Sequence, residues 1–212
     1  MHSRARGISL IEILIGLAIL GIGMAWAVPS YSVWMQNLQI RNMAESIVSG
    51  LQVARSEALA RNGFVEFVLM SANVGTANRD TALLTLGDDN GRNWMVRAVL
   101  PAGSPTNYDY VTARDSAEGS SHATVVASGG LYAVTFDHFG RQRWAANGLI
   151  QNIDASNQIT QICVGSSKLS AANGARLLEI DVSVGGQIKM CDPSVVSATD
   201  PRRCLSAAPR CS

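Results

Sequence analysis

Histidine is scarce in this 212-residue chain, with His2, His122 and His138 the only three. No GxSxG elbow, phosphate-binding GxxxxGK[ST] loop, HExxH helix or SxxK pair occurs in the sequence. Those absences leave nucleophilic hydrolysis, nucleotide hydrolysis and zinc proteolysis without their residue sets. Asp137 and His138 are adjacent, so on an extended strand end their side chains point apart rather than cooperate. There is no CxxC and no Cys/His cluster at zinc-ligand spacing, which argues against a structural metal. Net charge is only +1. Setting aside Arg4, Arg6 and Glu12 leaves 15 of the 17 Lys/Arg and 15 of the 16 Asp/Glu, so the chain from Ser30 onward is neutral. A nucleic-acid binder ordinarily shows a basic excess, and here any such activity needs a local patch. The expectation is a non-enzymatic protein without a metal or other cofactor.

What the chain does have is a long apolar run, Ile8 to Val28, behind a short basic leader. As a helix its 21 residues extend ~31 Å, about one hydrocarbon thickness. A cleaved secretory signal has a shorter apolar core, ~7–15 residues. Arg4 and Arg6 keep the N-terminus cytoplasmic. A simple anchor still leaves Glu12 unexplained, because a carboxylate in lipid costs ~2.5–3.5 kcal/mol on insertion scales.

The stretch "RGISLIEILIGLAIL" resembles the type IV prepilin signature: a basic leader ending in Gly7, then an apolar residue, and Glu12 five residues after the glycine. Many members have Phe where this chain has Ile8. The resemblance implies cleavage by prepilin peptidase between Gly7 and Ile8, with N-methylation of Ile8. It also implies that the apolar helix stays on the mature protein. Physical chemistry then gives Glu12 a task. The new ammonium lies one turn away, and in an apolar filament core Glu12 of an incoming subunit can meet the ammonium of its neighbour. Pro29 ends the apolar run and removes a helical hydrogen bond. Gly16, Gly21 and Gly23 weaken the helix before it.

Beyond Pro29 the helical pattern continues. Ile40, Ala44, Ile47, Leu51, Ala54 and Ala58 recur at spacings of three and four, a stripe that packs against the chain's own domain. Gly50 is the one strong breaker in this stretch, Arg41 and Glu45 form an i, i+4 pair, and Asn62-Gly63 supplies a stop. Within it, "LQVARSEALARNGFVEFVL" resembles the "LQxARSEAxxRN" run of the GspH/FimT family of minor pilins and pseudopilins.

After Gly63 the period becomes strand-like. Strands are expected at Phe64–Met70, Ala82–Leu86, Trp94–Leu100, Thr124–Val126, Leu131–Phe136, Ile159–Val164, Ala175–Val184 and Gln187–Cys191. Pro101 to Ser121 reads as a variable loop. "DDNG" at residues 88 to 91 reads as a hairpin turn, because it lacks the spaced carboxylates of a calcium loop. The expected architecture is α+β, with the type IV pilin fold implied by the resemblance: leader 1–7, membrane or filament-core helix 8–28, amphipathic continuation 29–62, antiparallel β head 63–191 and Cys-containing tail 192–212.

The four cysteines, Cys163, Cys191, Cys204 and Cys211, suit disulfides in an oxidising compartment. In a simple meander Cys163 lies near Leu178 and Cys191 near Ile180, on strands ~9–10 Å apart, beyond disulfide reach. That favours Cys191–Cys204 and Cys163–Cys211 among three arithmetical pairings. Two basic clusters remain. "GRQRW" holds Arg141, Arg143 and Trp144, and the tail holds Arg202, Arg203 and Arg210. Some FimT-like minor pilins of competence pili bind DNA through Gly-Arg-x-Arg sequences, and Gly140 to Arg143 has that form, placed in the head rather than in the terminal tail.

The functional expectation is therefore a minor pilin or pseudopilin. It is held in the inner membrane with its head in the periplasm, trimmed by prepilin peptidase, and incorporated into a type IV pilus or primes its assembly. Its partners are other pilins or pseudopilins, met through the N-terminal helix. A pseudopilin of type II secretion and a DNA-binding minor pilin of a competence pilus are the alternatives.

Overall fold

The computed structural model describes residues 9–74, 87–100, 108–143, 159–204 and 211, without the side chains of residues 25–30. Gly7, Ile8, the expected strand at 82–86, Trp144 and Arg210 lie outside the described residues. The chain divides into two compact units, residues 1–35 and 36–212.

One helix, α1 (Leu10–Arg61), crosses from the first unit into the second. In the larger unit its apolar stripe does what the spacing predicts: Ile40, Ala44, Ile47, Leu51, Ala54 and Ala58 are all fully buried. The wet side carries Arg41 and Glu45, 2.7 Å apart and more than half exposed, a geometry that contributes only a few tenths of a kcal/mol. The helix stops where expected. Asn62 takes a left-handed φ of 50°, and the Gly63 N–H donates to the Ala58 carbonyl at 3.2 Å, which is Schellman closure.

Among the described residues nine strands follow: β1 (Val65–Met70), β2 (Asn93–Val99), β3 (Tyr108–Arg114), β4 (Ala123–Ala127), β5 (Ala133–Phe136), β6 (Gln142–Arg143), β7 (Gln161–Ser166), β8 (Leu178–Val182) and β9 (Ile188–Cys191). They form two antiparallel sheets, ordered β3-β2-β1-β5-β6 and β4-β7-β8-β9. This is an α+β head with two sheets. The stripe of α1 shares one apolar core with both, through Phe67, Trp94 and Val96 of the first and Val125, Ile162 and Ile180 of the second.

The expected variable loop at 101–121 is corrected by β3, which pairs with β2 from Trp94↔Arg114 to Val99↔Tyr108. Turn formers on both sides mask the alternation of "YDYVTAR". As an edge strand it stays partly wet, so its polar residues are no obstacle to pairing. The strand β6 also escapes sequence reading, since two residues carry no period.

Three side-chain amides on α1 bind the second sheet and its loops. Gln36 Oε1 accepts from Ser166 Oγ at 2.8 Å. Asn37 donates to the Gly174 carbonyl and accepts from the Arg176 N–H. Gln39 accepts from the His122 N–H. On the face of β1 turned from the helix, a second apolar cluster includes Val68, Met70, Met95 and Tyr108. Beside it Glu66 and Arg97 form a buried ion pair at 3.0 Å, with the guanidinium 3.7 Å from the Tyr108 ring centroid. Burial pushes the Glu66 carboxyl up, against the opposing charge and hydrogen bond of Arg97.

Gly50, a helix breaker by propensity, is explained by packing. A Cβ there would stand 2.7 Å from Phe67 Cε2 and 3.0 Å from the Trp94 ring, both deep in the core. Gly50→Ala gains up to ~1 kcal/mol of helix propensity but overpacks the core by about 1–3 kcal/mol. The expected result of thermal melting is a lower Tm than wild type, the reverse of an exposed Gly→Ala change.

Candidate functional site

Three places hold the expected functional residues. The first is the start of α1. The Ser9 carbonyl accepts the N–H groups of Glu12 at 3.0 Å and Ile13 at 3.3 Å, so Glu12 sits in the first turn. The apolar side chains that follow, from Leu10 and Ile11 through Leu17 and Ile19 to Met24, are all more than half exposed. They face every side of the helix, the pattern of a segment that requires an apolar surrounding. Nothing lies within 4 Å of where a Cβ at Gly16, Gly21 or Gly23 would stand. Tyr31 and Trp34 follow, also more than half exposed, with ring centroids 5.9 Å apart. Pro29 lies inside α1. No helix among the described residues is long and apolar enough to cross a membrane; of the expected span 8–28, side chains are described over residues 9–24.

The second place is the turn at Gly140. Asp137 closes it: one oxygen accepts the N–H groups of Phe139 and Arg141, both at 2.9 Å. The other oxygen takes the guanidinium of Arg141 at 3.2 Å and that of Arg143 at 3.1 Å. Asp137's side chain is 3% exposed, while the two arginines are 47% and 48% exposed. Burial alone would raise the Asp137 carboxyl, but the Arg141 N–H, the Arg143 guanidinium and the Phe139 N–H outweigh it and hold it below the usual range. A carboxyl depressed in the folded state stabilises above its unfolded pKa, ~3.9, and loses that contribution as pH falls through the lower folded value. Asp137→Asn is thus expected to lower the urea midpoint at pH 7. The gap to wild type should close as the pH is taken below ~4; a constant gap would contradict the pairing.

The turn is docked on α1. Arg55 of the "ARSEA" run donates from Nε to the Gly140 carbonyl at 3.0 Å. Glu57 of the same run instead pairs with Arg61, which also reaches Asp109 of β3 at 2.7 Å. The β8–β9 turn abuts the same carbonyl. At Gly186, φ is 79° and a Cβ would overlap the Gly140 oxygen, so only glycine fits.

The third place is the tail. Cys163 of β7 and Cys191 of β9 both stand opposite Glu179 of β8, one residue away from the register expected for each. The disulfides are Cys163–Cys211 and Cys191–Cys204, with Cα–Cα distances of 5.5 and 5.0 Å. Glu179, Cys191 and Cys204 bring three ligand-type atoms within 4.8 Å of one another, but the two sulfurs are bonded to each other and offer no thiolate. Arg202 is held by Asp200 at 2.8 Å, which keeps the Asp200 carboxyl down at about 2. The Arg203 carbonyl accepts from Lys189 Nζ at 2.9 Å. Of the residues named for DNA binding, Arg141 and Arg143 share one carboxylate, and Arg202 is paired with another. The "DDNG" segment is a tight turn, with the Gly91 N–H on the Asp88 carbonyl at 2.8 Å and the Asp88 carboxylate on Ser71.

Sequence reading found the arginines but missed Asp137 as their anchor, because the link depends on a turn that brings positions four and six residues on back to one carboxylate. The proximity of Asp137 to "GRQR" was the available signal.

Comparison with known proteins gives two family matches. The prokaryotic N-terminal methylation motif covers residues 2–28, and the type II transport protein GspH domain covers residues 43–186. No curated protein matches the chain. Among solved structures, the type IV minor pilin FimU of Pseudomonas aeruginosa is similar in two crystal forms. One has a TM-score of 0.44 at 17% identity, covering 74% of this chain and 90% of that one. The other has a TM-score of 0.42 at 17% identity, covering 73% and 94%. With a methylation motif at its start and the GspH domain over most of its length, the chain belongs to the GspH family of pilin-like subunits.

Proposed function

We propose that the chain is a filament subunit: a minor pilin of a type IV pilus, or a pseudopilin of a type II secretion machine. Prepilin peptidase cuts between Gly7 and Ile8, and Ile8 is then N-methylated. The mature helix anchors the protein in the inner membrane with the head in the periplasm, until assembly moves it into the filament core. Glu12 sets the register there by meeting the ammonium of a neighbouring subunit. Pro29 and the glycines before it supply the give that repacking needs. The protein performs no bond-making chemistry of its own.

The observation that carries this reading is a helix apolar on every side with a single carboxylate in its first turn. In lipid that carboxylate is a cost. In a low-dielectric core opposite an ammonium it is a specific attraction. The disulfides agree with an oxidising periplasm. The test is cell fractionation: the protein should appear in sheared filaments, and should remain in the membrane when prepilin peptidase is deleted. Recovery in filaments without the peptidase would contradict the proposal.

A further inference from the structure

The Gly140 turn carries more than charge. Three large apolar side chains are exposed around it: Leu59 (50%), Phe139 (62%) and Val184 (62%). They come from the last turns of α1, the β5–β6 turn and the β8–β9 turn. Glycine lets these elements converge. Leu59 Cδ1 lies 3.5 Å from where a Gly140 Cβ would be, and the Val184 carbonyl accepts the Gln142 N–H at 3.0 Å. The Arg141 guanidinium lies 4.9 Å from the Phe139 ring centroid.

We infer that this patch docks another subunit of the same filament, at a surface where a carboxylate stands beside apolar side chains. The inference rests on the filament reading above. Arg141 and Arg143 meet one carboxylate, Asp137, and Arg55 joins them on the Gly140 carbonyl, so three guanidinia stand against one carboxylate, the patch is positive and its complement is acidic. Asp137 holds Arg141 and Arg143 in place before any partner arrives, which lowers the ordering cost of binding. Arginine and aromatic side chains are the types enriched in protein interfaces and their hot spots. A DNA backbone would use the patch poorly. Its affinity grows with the number of phosphates neutralised, and Asp137 already offsets one of the cations. Leu59 and Val184 offer a phosphate nothing, whereas a protein occupant engages the whole surface.

The test places a photo-reactive benzoyl-phenylalanine at position 139 or 184 of the full chain, in cells that assemble the filament. Position 126, exposed on β4, is the control. The expected result is an adduct with another subunit of the filament at 139 and 184 but not at 126, joined through a peptide that contains Asp or Glu. The double variant Arg141→Gln/Arg143→Gln should lower the yield from position 184 roughly tenfold, about 1.4 kcal/mol. Val184→Asp, on a solvent-facing turn, should do the same to the adduct from position 139 while leaving the Tm unchanged. A processed protein that yields only nucleic-acid or lipid adducts, no adduct, or yields indifferent to both variants would overturn the docking patch. A protein that still carries residues 1–7 would instead overturn the filament reading, and the patch with it.

Discussion

Replacing Glu12 with alanine should leave cleavage after Gly7 intact and cut the protein in the filament by about a hundredfold relative to its membrane pool. The carboxylate has two locations, bilayer and filament. In the bilayer, unpaired, it costs ~2.5–3.5 kcal/mol. In the proposed filament core a neighbour's ammonium would compensate it. The difference favours leaving the membrane. Alanine removes the membrane penalty and also leaves the neighbour's ammonium without its counter-charge, so both changes hold the subunit back. Glu12→Gln keeps the size of the side chain and loses the charge, and should fail nearly as severely. Immunoblots of sheared filaments against membranes give the ratio. Filaments that take up Glu12→Ala at the wild-type level would eliminate the pairing.

The second large effect concerns the disulfides. Cys163–Cys211 spans 48 residues and Cys191–Cys204 spans 13. Loop-closure entropy of the unfolded chain gives about 4 kcal/mol for the longer link and about 3 kcal/mol for the shorter. The first joins the far end of the tail to β7, and the second ties the tail to the edge strand β9. Cys163→Ser/Cys211→Ser should therefore lower the Tm more than Cys191→Ser/Cys204→Ser, the former by roughly 10 °C for a chain of this size. Reduction of the wild-type protein should exceed either loss. Equal Tm values for the two double variants, or no shift on reduction, would contradict the assignment of the longer loop as the stronger constraint.

Local periodicity made the helix legible. Every residue of the stripe from Ile40 to Ala58 is buried, because a helix writes its buried face into the sequence every three to four residues. Asn62-Gly63 was legible for a similar reason, since turn chemistry is local. What the sequence hid depends on partners far along the chain. The ion pair of Glu66 and Arg97 reads as two wet residues until both faces of β1 are covered. The division into two sheets follows from which strands find each other, and short strands carry little of that choice. At the Gly140 turn the charges were legible. The neighbours that make the patch apolar, Leu59 and Val184, arrive from α1 and the β8–β9 turn. In the N-terminal segment the motif itself was the signal, and the methylation motif matches residues 2–28.

The proposed filament role requires a cut at the junction of Gly7 and Ile8. Mass spectrometry of the N-terminal peptide from protein purified out of its native cells tests it most directly. The peptide should begin at Ile8 and carry one additional methyl group. A peptide that still begins before Ile8, or one that begins beyond the apolar run as after secretory-signal cleavage, would contradict the filament subunit at its foundation.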